Sequence, residues 1–177
     1  KREKIKKELQ AKKEEFKKKI ETAREEAKTK METFREQIKT EKDAAKAKIK
    51  ELRITGREKA LERFDGAVKR ISSLKEKINS KIVELETKGV DVISAKAFVA
   101  TAETKLVDAK NRVAEINTLL ATSINALTLE SKTKLRTLTK ETQTLVIEAQ
   151  KALKDAVKSL KDAVKTKVSA TETEDSD

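Results

Sequence analysis

The sequence predicts an all-α protein in which a long N-terminal coiled-coil arm runs into an antiparallel three-helix bundle. The chain has no proline and only three glycines among 177 residues, and 42% of its residues are charged. Apolar residues recur every eleven positions up to residue 56 and every seven positions after it, periods that suit one side of a helix rather than a strand. We therefore expect a helical coiled-coil arm over 1–56 and a bundle over 57–168, with helices 57–87, 92–121 and 129–168.

The arm carries a narrow apolar stripe with 4-3-4 spacing. Large apolar residues are few in this region and most lie on the stripe, so the arm cannot form a core of its own and has to pack against a helix or a surface. Eleven residues over three turns is about 3.67 residues per turn, which favours straight or slightly right-handed packing. We expect self-association through this stripe, whose members are Ile5, Leu9, Phe16, Ile20, Ala23, Ala27, Met31, Phe34, Ile38, Ala45 and Ile49.

The first bundle helix follows Gly56, where the apolar period changes to seven. Ile71, Ile78 and Leu85 share one column, and Lys75 interrupts the other. Because a seven-residue repeat favours left-handed packing, the change of period predicts a domain boundary near residue 56. A glycine costs a helix interior only about 1 kcal/mol, so the helix can also continue through Gly56.

The second helix is separated from the first by the sequence Thr87-Lys88-Gly89-Val90-Asp91. Glycine suits the left-handed residue that follows a helix end, and Asp91 can cap the helix that begins next. The heptads of this second helix pair a column of large residues with a column of mostly alanines. We expect helix-on-helix packing with a close approach of the backbones.

The start of the third helix has the weakest local signal in the sequence. Thr128 is a candidate N-cap, but no glycine or proline marks the connection, and the heptad phase continues across it. The alternative is therefore one continuous helix over 92–168, which would make the fold a long two-helix hairpin. The repeats KALKDAV (151–157) and KSLKDAV (158–164) give this helix a wide apolar face. The acidic segment 169–177 has no large apolar residue, and we expect it to be disordered.

The composition leaves little for catalysis. The chain has no histidine, cysteine or tyrosine, which removes the commonest general bases, thiolate nucleophiles and soft-metal ligands. No glycine-rich phosphate loop or calcium-loop spacing is present. We expect no enzymatic activity, no catalytic residue, no metal or cofactor site and no small-molecule substrate.

A basic stripe is predicted on the third helix, opposite its apolar face. Such a stripe can contact phosphates, anionic lipid headgroups or an acidic partner, which agrees with a net charge of +12. The competing interpretation is a solvated face partly neutralised by Asp155 and Asp162. The predicted anion-binding residues are Lys151, Lys154, Lys158, Lys161 and Lys165.

Two resemblances follow from these motifs. The Ala/Lys/Glu/Thr pattern of ETAREEAKTKM (21–31) is similar to the repeats of late-embryogenesis-abundant proteins and of synucleins. The start at Lys1, the ETAREEAK-type eleven-mers, the KGVDV turn, the KDAVKSLK helix and the acidic Ser/Thr tail resemble secreted Lys/Glu/Ala-rich helical proteins of ultra-small, reduced-genome bacteria. That resemblance, together with the processing that a start at Lys1 suggests, implies an exported or cell-surface location but no activity.

Three functions are therefore open. The first is a non-enzymatic structural or assembly protein that forms a homo-oligomer through its N-terminal helix, as a filament or an extended oligomer. The second is a peripheral binder of anionic membrane surfaces. The third is a sequence-independent nucleic-acid binder, although the chain has few aromatic residues for base stacking.

Overall fold

The protein is an all-α helical bundle, which confirms the predicted class. The computed structural model describes the backbone of residues 2–122 and 127–174 and, within them, the side chains of 14, 15, 17–122 and 127–169. Four helices are present in this part of the chain: α1 (Arg2–Lys39), α2 (Ala44–Thr87), α3 (Ile93–Leu120) and α4 (Leu129–Glu174).

The predicted arm is interrupted between α1 and α2. Asp43 caps α2, because its Oδ1 atom accepts hydrogen bonds from the backbone N–H groups of Ala45 (3.0 Å) and Lys46 (3.1 Å). The capping carboxylate satisfies two of the N–H groups that have no partner within a helix. The expected continuous helix over 1–56 is thus wrong, and the chain turns at residues 40–43.

Gly56 does not interrupt a helix, in agreement with the small cost expected for one glycine in a helix interior. α2 continues through this residue, and a Cβ atom added there would meet nothing within 4 Å. The cost of one exposed helical glycine, about 1 kcal/mol, is small compared with the packing that α2 gains on both sides of it.

The turn between α2 and α3 follows the predicted glycine. Gly89 has a φ of 70°, its N–H donates to Glu86 O (2.9 Å), and the N–H of Val90 donates to Leu85 O (3.0 Å). This pair of bonds is a Schellman motif, and the accompanying contact is apolar because Leu85 and Val90 belong to one core cluster. Asp91 accepts a hydrogen bond from the N–H of Ile93 at 3.0 Å.

α3 and α4 are separate helices, so the single helix over 92–168 and the two-helix hairpin that it implies are not observed. The Oγ1 atom of Thr128 accepts a hydrogen bond from the N–H of Ser131 at 3.1 Å, which is the N-cap arrangement expected from the sequence. α4 extends to Glu174, and the Ser169 hydroxyl donates to Lys165 O at 3.1 Å. The predicted disordered tail is therefore helical over 169–174, and 175–177 lie outside the described residues.

The chain divides into two compact units, and each has its own core. The first unit comprises the described residues of Lys1–Phe64 and Lys110–Lys140. Its core is a cluster to which all four helices contribute. The buried members are Met31, Ile54, Ile116, Leu120 and Leu138, with Phe34, Ile38, Leu61 and Phe64 among the partly buried residues packed on them.

The second unit comprises the described residues of Asp65–Ala109 and Glu141–Asp177. Its larger cluster joins α2, α3 and α4 through residues such as Ile82, Ala95, Leu153 and Ala156. The alanines Ala95, Ala102 and Ala109 are fully buried, in agreement with the close helix approach expected from the alanine column. Each fully buried large aliphatic side chain contributes about 1.5–3 kcal/mol to stability.

Lys75, which interrupts a heptad column in the sequence, lies within this second unit and is paired. Its ammonium group binds the carboxylate of Glu103 on α3 and also lies 3.1 Å from Glu76 Oε1. Burial lowers the pKa of Lys75, but the hydrogen bonds to Glu103 and Glu76 outweigh that effect, so its pKa is raised. A pair of this kind constrains which face of α2 meets α3.

Candidate anion-binding surface

Neither a cluster of metal-ligating side chains nor a membrane-spanning helix is found among the described residues. They contain no group of three or more acidic, histidine or cysteine side chains that could hold a metal ion. A recess of about 630 Å³ lies on α1 around Glu21, Glu25 and Thr29, but its walls come from this one helix. In the described part of the chain, no helix has an apolar stretch long enough to cross a membrane. The absence of an enzymatic activity remains a prediction.

The predicted basic stripe is on the outer side of α4, in the second unit. Its position follows from the heptad repeat, because Leu153, Ala156 and Leu160 are buried in the core cluster of that unit. Residues three or four positions apart share a face, so the lysines between these apolar residues are directed to the opposite side of the helix. All five lysines, Lys151, Lys154, Lys158, Lys161 and Lys165, are exposed.

These lysines differ from many other lysines of the protein in having no carboxylate bound. Among the described residues, none of the five forms an ion pair, although Asp155 and Asp162 lie on the same helix. By contrast, Lys105 of α3 binds Glu148 of α4 at 2.8 Å, and the hydrogen bond to Glu148 raises the pKa of Lys105. The stripe therefore keeps its charges available for an external anion.

Two exposed aliphatic residues extend the stripe and were missed by the sequence analysis. Ile147 precedes the first lysine by four positions, and Val168 follows the last by three. Their side chains are 64% and 52% exposed. The 3-4 spacing of the lysines continues through both positions, so both residues could have been predicted from the sequence.

The predicted self-association stripe is divided by the turn at 40–43. Ile20, Ala27 and Met31 are buried, and Ala23, Phe34 and Ile38 are partly buried. The members beyond the turn, Ala45 and Ile49, are exposed, and Ile5, Leu9 and Phe16 lie outside the residues whose side chains are described. Met31, Phe34 and Ile38 contact the core of the first unit, so the expectation that one chain cannot cover the stripe is wrong for these residues.

Ion pairs between distant positions hold α1 against α2 in the first unit. Arg35 binds Glu51 and Glu58, each at 2.5 Å, and Lys50 binds Glu41 at 2.6 Å. The hydrogen bond that Arg35 donates to Glu58 is the main cause of the raised pKa of Arg35. Pairs three or four residues apart on one helix can be predicted from the sequence, whereas these pairs form only because the chain turns back at 40–43.

Comparison with protein-family models, with curated proteins and with solved structures gives no match to this chain.

Proposed function

We propose that this protein is a non-enzymatic structural protein that attaches peripherally to anionic membrane surfaces through the lysine stripe of α4. The observation that supports this proposal is the set of five exposed lysines, Lys151 to Lys165, with no carboxylate bound among the described residues. Lysines with no bound carboxylate can direct their charge toward an anionic surface, although Asp155 and Asp162 lie three or four residues from them on the same helix.

The geometry of the stripe suits a flat anionic surface. From Lys151 to Lys165 a helix rises about 21 Å, with a lysine every three or four residues. Each lysine held near an anionic leaflet contributes about 1 kcal/mol, and Asp155 and Asp162 offset part of the sum. Because the apolar face of α4 is buried in the core, this attachment depends on charge and weakens as salt increases.

The test replaces the five lysines by glutamine and measures flotation with vesicles of phosphatidylcholine mixed with phosphatidylserine. The matched control replaces five exposed lysines of the first unit, Lys28, Lys30, Lys132, Lys134 and Lys140, so that both variants have the same net charge. We expect the α4 variant to lose binding and the control to retain most of it. Equal losses would mean that total charge, and not the stripe, determines binding.

Single-stranded DNA is the necessary second probe, because phosphates of either source attract lysines. Binding to DNA with a steep salt dependence, without binding to vesicles, would mean that the stripe binds nucleic acid and not a membrane. We expect the opposite preference, since the stripe carries no aromatic side chain for stacking on bases.

Self-association through the N-terminal helix is the second candidate function, as a coiled-coil filament or an extended oligomer. It is supported by Ile5, Leu9 and Phe16, which continue the apolar spacing of α1 beyond the members that are buried within the chain. Size-exclusion chromatography with light scattering tests it, and a monomer at high concentration would exclude it. The exported or cell-surface location stays a prediction.

A further inference from the structure

The outer face of α2 in the first unit combines exposed aliphatic residues with cations. Ile49 is 49% exposed and Leu52 is 65% exposed, and they share a face with the small residues Ala45 and Gly56 at 4-3-4 spacing. A Cβ atom added at Gly56 would meet nothing within 4 Å. The opposite side of the helix contributes the fully buried Ile54 to the core, so the outer face is free while α2 stays packed.

Cations surround these two aliphatic residues. Three exposed basic side chains, Lys46, Lys48 and Arg53, lie beside or between them, and two more, Lys59 and Arg63, follow about two and three turns after Leu52. Lys46 lies 3.5 Å from Asp43 in an exposed pair; among the described residues the other four form no ion pair. This arrangement, with aliphatic groups at the centre and flexible cations at the sides, is typical of a helix that lies in a lipid headgroup region.

The acids of this segment are placed elsewhere. The carboxylates between Ala44 and Arg63 are Glu51, Glu58 and Glu62. Glu51 and Glu58 bind Arg35 of α1 on the packed side of α2, which leaves Glu62, three residues after Lys59, as the acid nearest the outer face. The separation of charge thus results from the same ion pairs that hold α1 on α2.

We infer that this outer face of α2 docks on an anionic lipid surface, with Ile49 and Leu52 inserted among the acyl chains and the surrounding cations at the headgroups. The inference goes beyond the proposed function, because it concerns a different surface, in the other unit, and does not require the α4 lysines. It adds a contact in which aliphatic side chains and cations lie together on one helix face.

Two other occupants fit the face less well. A second copy of the chain would place the same cations against one another, which opposes pairing. An acidic protein partner would have to bury a surface rich in lysine, a residue depleted in protein interfaces. A lipid surface avoids both difficulties, because lysine and arginine side chains reach the headgroups while their alkyl portions stay beside the aliphatic residues.

The first experiment uses the double variant Ile49→Ser, Leu52→Ser in the full chain and the same phosphatidylserine-containing vesicles. Insertion predicts a loss of more than about tenfold in partition, and a loss of the binding that wild type retains at high salt. The matched control is Leu129→Ser, which removes an aliphatic side chain that is 82% exposed elsewhere in the first unit and leaves partition unchanged. Circular dichroism verifies that both variants stay folded. Unchanged partition of the double variant overturns the inference.

The second experiment reports depth directly. The chain has no cysteine, so a single Leu52→Cys variant accepts one environment-sensitive fluorophore at a unique position. On vesicles, the emission should shift to the blue and be quenched by nitroxide-labelled lipids, whereas a fluorophore on Leu129→Cys should show neither effect. A water-like emission at position 52 on protein bound to vesicles would contradict insertion.

The two proposals fail separately in these measurements. If the five-lysine variant of α4 loses binding while the Ile49→Ser, Leu52→Ser variant keeps it, the α2 face is not used and the proposed function is supported. The reverse result supports the α2 face alone. The inference is wrong if the wild type forms an oligomer that the double substitution dissociates, or if the wild type binds polyglutamate but not vesicles. Either result would mean that the outer face of α2 binds a protein partner.

Discussion

Arg57 is a buried cation that closes the C-terminal end of α3. Its guanidinium donates a hydrogen bond to Leu120 O at 3.0 Å, where the last carbonyls of a helix lack partners and the helix dipole favours positive charge. Burial lowers the pKa of Arg57, and the nearby charge of Arg53 adds to that effect. The residue therefore joins α2 to α3 with a bond that no apolar side chain can replace.

Replacing Arg57 by methionine should lower the free energy of unfolding by about 1.5–3 kcal/mol, the range for a hydrogen bond to a charged group. Urea unfolding measures the loss. The control is Arg136→Met, an exposed position of α4 in the same unit, where a change within about 0.5 kcal/mol is expected. Equal values for the two variants would mean that the bond to Leu120 contributes nothing to stability.

Glu84 is the acid whose titration the fold changes most clearly. Hydrogen bonds from Lys81 and Lys88, each at 2.7 Å, lower the pKa of Glu84 to about 2 from an ordinary value of 4.5. A carboxyl group with a lowered pKa adds stability that is present above its unfolded pKa and is lost as the pH falls through its folded pKa. The contribution of Glu84 should therefore disappear between about pH 4.5 and pH 2.

Nuclear magnetic resonance of the Glu84 carboxyl carbon tests this titration directly. We expect a midpoint near 2 in the wild type and a return toward 4.5 in a Lys81→Gln, Lys88→Gln variant, because both hydrogen-bond donors are then lost. A wild-type midpoint at the ordinary value would show that the pairs do not persist in solution.

The helix ends with strong local signals were predictable, and the one without such signals was not. Gly89 and Thr128 mark their turns because a left-handed glycine and a hydroxyl N-cap act within a few residues. At 40–43 the only local signal is Asp43, and the eleven-residue repeat continues across it from Ile38 to Ile49. The period alone therefore indicated one helix, although the ion pairs of Arg35 stabilise a turn.

Replacing Gly56 in α2 and Gly89 in the turn that follows it by alanine should change the free energy of unfolding in opposite directions. Gly89→Ala forces a side chain into a left-handed conformation and brings its Cβ to 3.0 Å from Lys167 Nζ, so a loss of about 1–2 kcal/mol is expected. Gly56→Ala meets open space in a helix and should stabilise the protein by about 0.5–1 kcal/mol. Thermal unfolding of the two variants compares the signs, and a stabilising Gly89→Ala would contradict the turn described for this residue.

The candidate surfaces were predictable to different degrees. The lysines of α4 are exposed because their heptad positions lie opposite a buried face, and the heptad repeat predicts this arrangement from the sequence. The outer face of α2 was missed because Ile49 shares an eleven-residue column with Ile38, so both were assigned to one packing seam. Once the chain turns at 40–43, Ile38 joins the core of the first unit and Ile49 is left exposed.

Each unit has its own core. In the first unit this core covers part of the apolar stripe of α1, so those positions do not need a second copy of the chain. Met31 is 3% exposed and packs with Ile54, Ile116 and Leu138 of the same unit. A core formed within one chain has a stability that does not depend on protein concentration, whereas a core completed by a second chain becomes more stable as concentration rises. The burial of this part of the stripe within one chain therefore predicts that the stability of the protein does not depend on its concentration.

Met31→Ala should lower the free energy of unfolding by about 2–4 kcal/mol, since it removes a fully packed side chain and leaves a cavity. The same loss is expected at low and high micromolar concentration, and the wild-type melting temperature should not change across that range. Leu129→Ala, at an exposed position of the same unit, should change stability by no more than about 0.5 kcal/mol. A melting temperature that rises with concentration in the wild type but not in Met31→Ala would show instead that the stripe is covered by a second chain, and self-association would then become the better explanation of the eleven-residue repeat.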